Sequence, residues 1–393
     1  MTSQTVDHAA DQGLRPHLPA LLSLAAASCL AVTTEMLPVG LLPSMGKAFG
    51  VADSVTGLLV TLYAVMVATL AVPLTIATRR FGRKPLLLAT LLCYAVSNAM
   101  VAVAPVFAVV AVGRTIGGIT HALFFSLCIG YAPRLVSAGY VGRALAIATG
   151  GASAGFVLGV PLSTSLGTAV GWRASFAVLA VASAATLILV ARLLPAIPNV
   201  PPRETGTGRG RIRLAAVIAS NALTYLGQFT LYTFISVMLL SAGLRATLVG
   251  PLLLICGACG LIGLFYAAKT LDRNPRRTAI TVMLTVIASV VILGAVYPAL
   301  VAVVALAAVW NGAFGGMPSI YQASAVRTHA VSPEMAGAWV NASANLGIAG
   351  GAAIGAGLLP VTGVAGLPWV AAALMCAGMT VVIIARRAFP AQP

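Results

Sequence analysis

Two stretches of this chain, 278–326 and 335–385, contain no Asp, Glu, Lys or Arg. Each is more than twice the ~20 apolar residues that one helix needs to cross a membrane. Across the whole chain 60% of the residues are hydrophobic, only 8% are charged, and the mean hydropathy is +1.02. A soluble domain carries about a quarter of its residues as charged side chains. A chain this apolar therefore requires lipid as the solvent for most of its surface.

The apolar runs are continuous, whereas the strands of a membrane barrel alternate apolar and polar residues. Helices satisfy their own backbone hydrogen bonds in lipid, so we predict an all-α integral membrane protein with twelve transmembrane helices. The predicted spans are 18–45, 54–78, two within 85–132 separated by a turn at Ala104-Pro105, 144–172, 174–191, 214–240, 246–268, two within 278–326, and two within 335–385.

The basic residues are distributed unevenly between the two sides of these spans. With a cytoplasmic N-terminus, 19 of the 23 Lys and Arg residues fall in cytoplasmic segments, and Lys47, Arg173 and Arg245 fall outside. The remaining one, Arg114, lies within a span. An excess of Lys and Arg in cytoplasmic loops sets the orientation of membrane proteins. The net charge of +16 is therefore a topology signal and does not indicate nucleic-acid binding, and both termini are predicted to be cytoplasmic.

The second half of the chain repeats the pattern of the first half. The basic turn 80–84 corresponds to 273–277, and the glycine-rich fifth span corresponds to the eleventh. The longest polar stretch, PAIPNVPPRETGTGRGRIR, lies between the halves and is typical of a linker. The predicted units are a cytoplasmic tail at 1–16, a six-helix bundle at 17–194, a cytoplasmic linker at 195–213, a second six-helix bundle at 214–387, and a tail at 388–393.

Five segments of the sequence resemble one family of membrane proteins. They are TTEMLPVGLLPSM (33–45), RRFGRKPLLL (79–88), GRTIGGITHALFFSL (113–127), GFVLGVPLSTSLG (155–167) and NASANLGIAGGAAIGAGLL (341–359). Together they are similar to the major facilitator superfamily, and in particular to its twelve-helix drug:proton antiporters of the sugar, arabinose and purine-nucleoside efflux branch. The resemblance implies the major facilitator fold, with two pseudo-symmetric six-helix bundles. It also implies a bacterial cytoplasmic (inner) membrane location and a monomer without cofactor or metal.

The same resemblance points to residues that gate or pack the bundles. They are Arg83, Asp272, Arg273, Gly155, Gly159 and Pro161. One position departs from the family pattern, because Arg79 stands where the loop after the second span usually carries Asp. A gating salt bridge from that loop is therefore not expected in the first half, whereas the second half keeps the acid as Asp272.

Proton coupling is expected to involve Glu35, Arg114 and His121. Glu35 is the one acidic residue among seven that lies within a predicted span. Charged residues inside a membrane are costly and usually face a cavity, where a carboxyl group can load and release a proton. Arg114 lies at a similar depth, roughly 12–14 Å below the outer surface, so it is in reach of Glu35, and a structural Arg that bonds backbone carbonyls is the alternative. The resemblance links this Arg to proton coupling, and His121 lies on the same helix face. Fixed structural roles for all three residues remain open.

The substrate is expected to meet a polar and aromatic stripe on the seventh span and polar residues opposite it. The candidates are Asn221, Tyr225, Gln228, Tyr232, Trp310, Asn311, Asn341 and Asn345. The four on the seventh span are spaced by 4, 3 and 4 residues, which places them on one helix face. Hydrogen bonds between helices would also explain them.

These observations predict a secondary active transporter that exports small molecules such as drugs, sugars or nucleosides in exchange for protons. Proton-coupled uptake by the same fold is the alternative, because the direction follows from the resemblance alone. An integral membrane enzyme is a more distant alternative, since it would need acidic, His or Cys clusters that the spans lack.

Overall fold

The computed structural model describes residues 14–78, 80–137, 140–197, 208–271, 273–331 and 333–389. Within these ranges twelve helices are long and apolar enough to cross a membrane, which confirms the number predicted from the sequence. No strand occurs in the same ranges. The helices are α1 (Leu14–Phe49), α2 (Asp53–Ala77), α3 (Arg83–Ala102), α4 (Phe107–Tyr131), α5 (Val141–Ala154, continued by Gly155–Gly159 and Val160–Val170), α6 (Trp172–Leu193), α7 (Gly208–Tyr232 and Ile235–Ser241), α8 (Val249–Thr270), α9 (Pro275–Val296), α10 (Leu300–Phe314 and Met317–Val326), α11 (Pro333–Thr362) and α12 (Leu367–Ile384).

Three of these helices are interrupted along their length. Helix α5 contains a π-helical turn at Gly155–Gly159, and π turns inside α-helices are frequent at functional sites. Helix α7 breaks after Tyr232, and α10 breaks after Phe314. Irregular backbone at membrane depth is tolerated where it is buried in protein or lines a cavity.

Helices α1–α6 and α7–α12 form two bundles, which pack against each other mainly through α2 with α11 and α5 with α8. The internal repeat extends to individual side chains. Lys84 Nζ donates to Ala191 O at the end of α6 (2.8 Å), and Arg276 Nη2 donates to Ile383 O at the end of α12 (2.8 Å). Basic groups stabilise the last carbonyls of a helix, so in each bundle a basic residue from the first turn of the third helix caps the sixth helix.

Part of the predicted linker and of the tails lies outside the described residues, namely 198–207, 1–13 and 390–393. Helix α7 begins at Gly208, so the last residues assigned to the linker are helical. The boundaries of the predicted units otherwise stay predictions.

Helices α1 and α5 approach each other through three glycines, spaced four residues apart on α5. A Cβ atom on Gly151 would lie 1.8 Å from Ala25 O, and one on Gly155 would lie 2.4 Å from Cys29 O. On Gly159 it would overlap the Thr33 side chain. Small residues allow close helix packing in membranes, so these glycines bring the backbone of α5 directly onto α1.

Gly151→Val is expected to reduce the yield of folded protein several-fold, because its side chain would collide with backbone that cannot move alone. The matched control is Gly150→Ala, since a Cβ at Gly150 meets no atom within 4 Å. Size-exclusion profiles of the two variants in mild detergent provide the measurement. A monodisperse Gly151→Val protein at wild-type yield would contradict this packing.

Candidate functional site

A cavity of about 300 Å³ lies between the two bundles. Sites of this kind, at the interface of two repeats, are where transporters of this architecture bind substrate. Its wall contains seven of the predicted coupling and substrate residues: Glu35, His121, Tyr225, Gln228, Asn311, Asn341 and Asn345. The wall also contains four phenylalanines that were not among the predicted site residues: Phe125, Phe156, Phe229 and Phe314.

The two bundles are closed against each other at the end where α1 and the second segment of α7 meet. There Ser236 Oγ donates to Val39 O across the bundles (2.7 Å), and both residues are buried. Phe234 fills the space beside Gly57 of α2, where an added Cβ would come within 2.5 Å of its ring. The cavity lining extends toward the opposite end as far as Pro318, which is exposed. The structure is therefore closed on one side of the cavity.

Glu35 lies in the cavity wall with a buried carboxylate that is only partly satisfied. The residue as a whole is only 6% exposed. Oε2 lies 3.6 Å from His121 Nε2, which is an ion-pair distance if the His is protonated and is longer than a hydrogen bond. Oε1 has no hydrogen-bond partner among the described residues. A buried acceptor without a partner is costly, so this oxygen is available to a proton or a ligand.

His121 links Glu35 to a tyrosine on α2. The Tyr63 hydroxyl and His121 Nδ1 are 3.0 Å apart, and the two rings meet edge to face. If the hydroxyl donates to Nδ1, the neutral imidazole carries its proton on Nε2 and directs it toward Glu35. Gly117 and Gly118 of α4 make this possible, because a Cβ on either would collide with Tyr63.

Arg114 bonds the backbone of α1 and not the Glu35 carboxylate, which is the alternative that the sequence analysis left open. Nη1 donates to Thr34 O (2.6 Å), and Nη2 donates to Glu35 O (2.7 Å). The reason lies in the sequence of α1, where Pro38 has no N–H to donate to the carbonyl four residues earlier. That carbonyl belongs to Thr34, and the guanidinium supplies the missing donor. The charge of Arg114 also lies over the Tyr63 ring, 4.2 Å from its centroid.

The predicted stripe on α7 is divided between the cavity and the surrounding helix contacts. Tyr225 and Gln228 face the cavity. Asn221 instead donates to Val340 O (2.9 Å) and Ser343 Oγ (2.8 Å) of α11, so it joins two helices. Tyr232 stacks on Phe156 across the bundles with ring centroids 5.7 Å apart.

The residues of α10 and α11 divide in the same way. Trp310 lies behind the wall, where its indole Nε1 donates to Gln228 Oε1 (2.7 Å). Asn311 faces the cavity, and its Nδ2 donates to Ala307 O (2.9 Å). Asn345 Nδ2 donates to Asn341 O (3.0 Å) and to Asn341 Oδ1 (3.2 Å). Neither Asn221, Tyr232 nor Trp310 is part of the cavity wall.

Those predicted gating and packing residues that the structure describes lie away from the cavity wall. Gly155 and Gly159 contact α1 as described above, and Pro161 is buried directly after the π turn. Arg83 begins α3, and Arg273 is exposed before α9. Asp272 and Arg79 lie outside the described residues. Among the described residues no group of three His, Cys, Asp or Glu could hold a metal ion.

Tyr63 and the four phenylalanines were not predicted from the sequence. They stand among other apolar residues, and no polar neighbour at helical spacing marks them as facing a cavity. One signal for Tyr63 was present. The pair Gly117-Gly118, one turn before His121, indicates that a neighbouring helix approaches α4 closely at that depth.

The model of the Major Facilitator Superfamily matches residues 24–337. A chloramphenicol efflux pump of Mycobacterium tuberculosis is 32% identical over 361 residues, covering 88% of this chain and 86% of the relative. A probable sugar efflux transporter of Mannheimia succiniciproducens is 27% identical, with 90% of each chain covered.

Among solved structures, a bacterial homologue of the human lysosomal transporter Spinster, in an inward-facing and unoccupied conformation, superimposes with a TM-score of 0.75. The two share 13% sequence identity, and the match covers 96% of this chain and 98% of that one. At this identity the likeness concerns the fold alone.

Proposed function

Because the chain belongs to the major facilitator superfamily, and is therefore a multi-pass membrane transporter and not an enzyme, we propose that it exports small molecules in exchange for protons. The observation that carries the proposal is the Glu35 carboxylate. It is buried in the cavity wall, one of its oxygens has no partner among the described residues, and the other faces His121. A group placed in this way can bind either a proton or a substrate donor.

The proposed exchange uses the two charge states of Glu35. When the cavity opens to the outside, Glu35 takes up a proton and the substrate leaves. When the cavity opens to the cytoplasm, the proton leaves and the ionised carboxylate favours binding of the next substrate. A ligand shifts such an equilibrium only through its different affinity for the two states. Tyr63, His121 and Arg114 fix the position of Glu35 in this cycle.

The relatives support the direction and the kind of substrate. One relative is named a chloramphenicol efflux pump, and another is named a probable sugar efflux transporter. Besides Glu35 and His121, the cavity is lined by aromatic and aliphatic side chains and by a few uncharged polar ones. This lining favours a neutral or weakly charged compound with an apolar part, and chloramphenicol meets that description.

The test is accumulation of labelled chloramphenicol by inside-out membrane vesicles that contain the protein. An acidic vesicle interior should drive chloramphenicol inward, because protons leave as the substrate enters. Vesicles without the protein are the control. Outward movement under the same gradient would support the uptake alternative, and no response to the gradient for any of a panel of drugs, sugars and nucleosides would contradict the proposal.

We further propose that the termini are in the cytoplasm of a bacterial inner membrane, as the distribution of basic residues predicts. The closed end of the bundles, where Ser236 meets Val39, then faces outward, and the cavity opens toward the cytoplasm. Gly206→Cys is expected to stay unlabelled when intact cells are treated with a membrane-impermeant thiol reagent, and to be labelled after the cells are opened. Labelling in intact cells would reverse the orientation.

A further inference from the structure

Two amide side chains in the second bundle, Asn345 and Gln228, belong to the cavity wall and are held in fixed orientations. Each is held by a partner that has only one hydrogen-bonding role, so the orientation of each amide follows from chemistry. Both side chains are buried, at 3% and 1% exposure.

The orientation of Asn345 is set by α11 itself. Its amide contacts Asn341 O at 3.0 Å, and a backbone carbonyl can only accept, so the contacting atom is the nitrogen. The oxygen, Oδ1, is therefore on the other side of the amide. It is buried and has no partner among the described residues. An unsatisfied buried acceptor in a cavity wall is costly, and a donor on a molecule bound in the cavity would relieve that cost.

The orientation of Gln228 is set by α10. The indole N–H of Trp310 can only donate, so the atom it contacts at 2.7 Å is Gln228 Oε1. The amide nitrogen of Gln228 is thereby left as a donor, and it makes no hydrogen bond with the described residues. Asn345 thus offers an acceptor and Gln228 offers a donor.

The space beside these amides is aromatic. The Tyr225 ring stacks on Phe229 with centroids 6.1 Å apart and meets Phe314 edge to face at 5.4 Å. Flat apolar walls of this kind accommodate aromatic or other apolar bodies, and a few placed polar groups then fix the orientation of the ligand.

We propose that Asn345 and Gln228 together select substrates that carry both a hydroxyl or N–H donor and a hydrogen-bond acceptor on an apolar body. Asn345 Oδ1 accepts a hydrogen bond from the donor of the substrate, and the amide nitrogen of Gln228 donates one to the acceptor of the substrate. This inference rests on the proposed function for the existence of a substrate, and it deepens that function by naming the substrate class. It concerns the second bundle and is independent of the proton site at Glu35.

The experiment measures binding of chloramphenicol, which carries hydroxyl and amide donors beside acceptors, to purified full-length protein in lipid nanodiscs at one pH. Asn345→Leu keeps the approximate shape and removes the acceptor, so the Kd should rise about tenfold, the usual consequence of leaving a buried donor unpaired. Asn345→Thr keeps a hydroxyl that can donate to Asn341 O and still accept from a ligand, so it should weaken binding by no more than about threefold. Gln322→Leu, at an exposed amide of α10 outside the cavity wall, is the matched control and should leave the Kd unchanged.

A Kd for Asn345→Leu within twofold of wild type would overturn the inference. Equal weakening by Asn345→Leu and Asn345→Thr would also overturn it, because a residue needed only for packing would respond to both changes. Wild-type protein that binds neither chloramphenicol nor thiamphenicol would contradict it as well, since both compounds have the required donor and acceptor. Binding needs no proton gradient. Intact selective binding without gradient-driven accumulation would therefore contradict the proposed exchange and leave this inference standing.

Discussion

Glu35→Gln is expected to abolish accumulation of substrate driven by a pH gradient while leaving substrate binding measurable. The amide keeps the shape of the carboxyl group, but it cannot take up and release a proton. Exchange of one substrate for another down a concentration gradient should therefore survive, because it requires movement of the bundles without a change in protonation. Vesicle uptake with and without an imposed gradient separates the two activities.

The matched control is Asp53→Asn, which removes a carboxylate at the first residue of α2, outside the cavity wall. It should retain gradient-driven uptake at a level close to wild type. If Glu35→Gln vesicles still concentrate substrate when only a pH gradient is supplied, the carboxylate is structural. Coupling would then have to involve His121, whose Nε2 faces the same position.

The fold could be predicted from the sequence because lipid imposes a simple rule. Every span must be a long apolar helix, so the charge-free windows gave the number of helices and their turns. The repeat between the two halves then predicted two bundles. Contacts between particular helices are less constrained, because in lipid any apolar surface can face either a neighbour or the hydrocarbon.

The residues of α7 show why the contacts of a helix are harder to predict than its position in the sequence. Helical spacing correctly grouped Asn221, Tyr225 and Gln228 on one face of α7, but that face is wide enough to serve two environments. Tyr225 and Gln228 face the cavity, whereas Asn221 bonds to α11. Spacing gives the face of a helix and not the neighbour that covers it, so this division could not be read from the sequence.

The partner of Arg114 could have been inferred, although the matching depth of Glu35 suggested the carboxylate. A proline inside a helix frees the carbonyl four residues before it, and α1 contains Pro38 and Pro43. The two freed carbonyls are those of Thr34 and Val39, and both accept hydrogen bonds from other helices, one from Arg114 and one from Ser236. Prolines in a transmembrane helix therefore indicate where side chains from neighbouring helices will bond to its backbone.

Arg114→Met is expected to abolish transport and to lower stability. The substitution leaves Thr34 O without a donor inside the bundle, at a cost of about 1–3 kcal/mol for a buried unpaired carbonyl. It also removes the cation that lies over Tyr63, the residue that positions His121. The loss should be visible as a lower apparent melting temperature in detergent, together with the absence of gradient-driven uptake in vesicles.

A second substitution tests the reason for this loss. Pro38→Ala restores a backbone N–H that can donate to Thr34 O within α1, so the double variant Arg114→Met/Pro38→Ala should recover part of the lost stability. Transport should remain absent, because Tyr63 and His121 still lack their neighbour. Pro43→Ala is the matched control, since it supplies a donor to Val39 O, which already accepts from Ser236. The four stability measurements form a double-mutant cycle, and residues that share a hydrogen-bond acceptor should show an interaction energy well outside additivity. If Pro38→Ala restores no more stability than Pro43→Ala in the Arg114→Met background, Arg114 does not stabilise α1 by replacing the missing proline N–H.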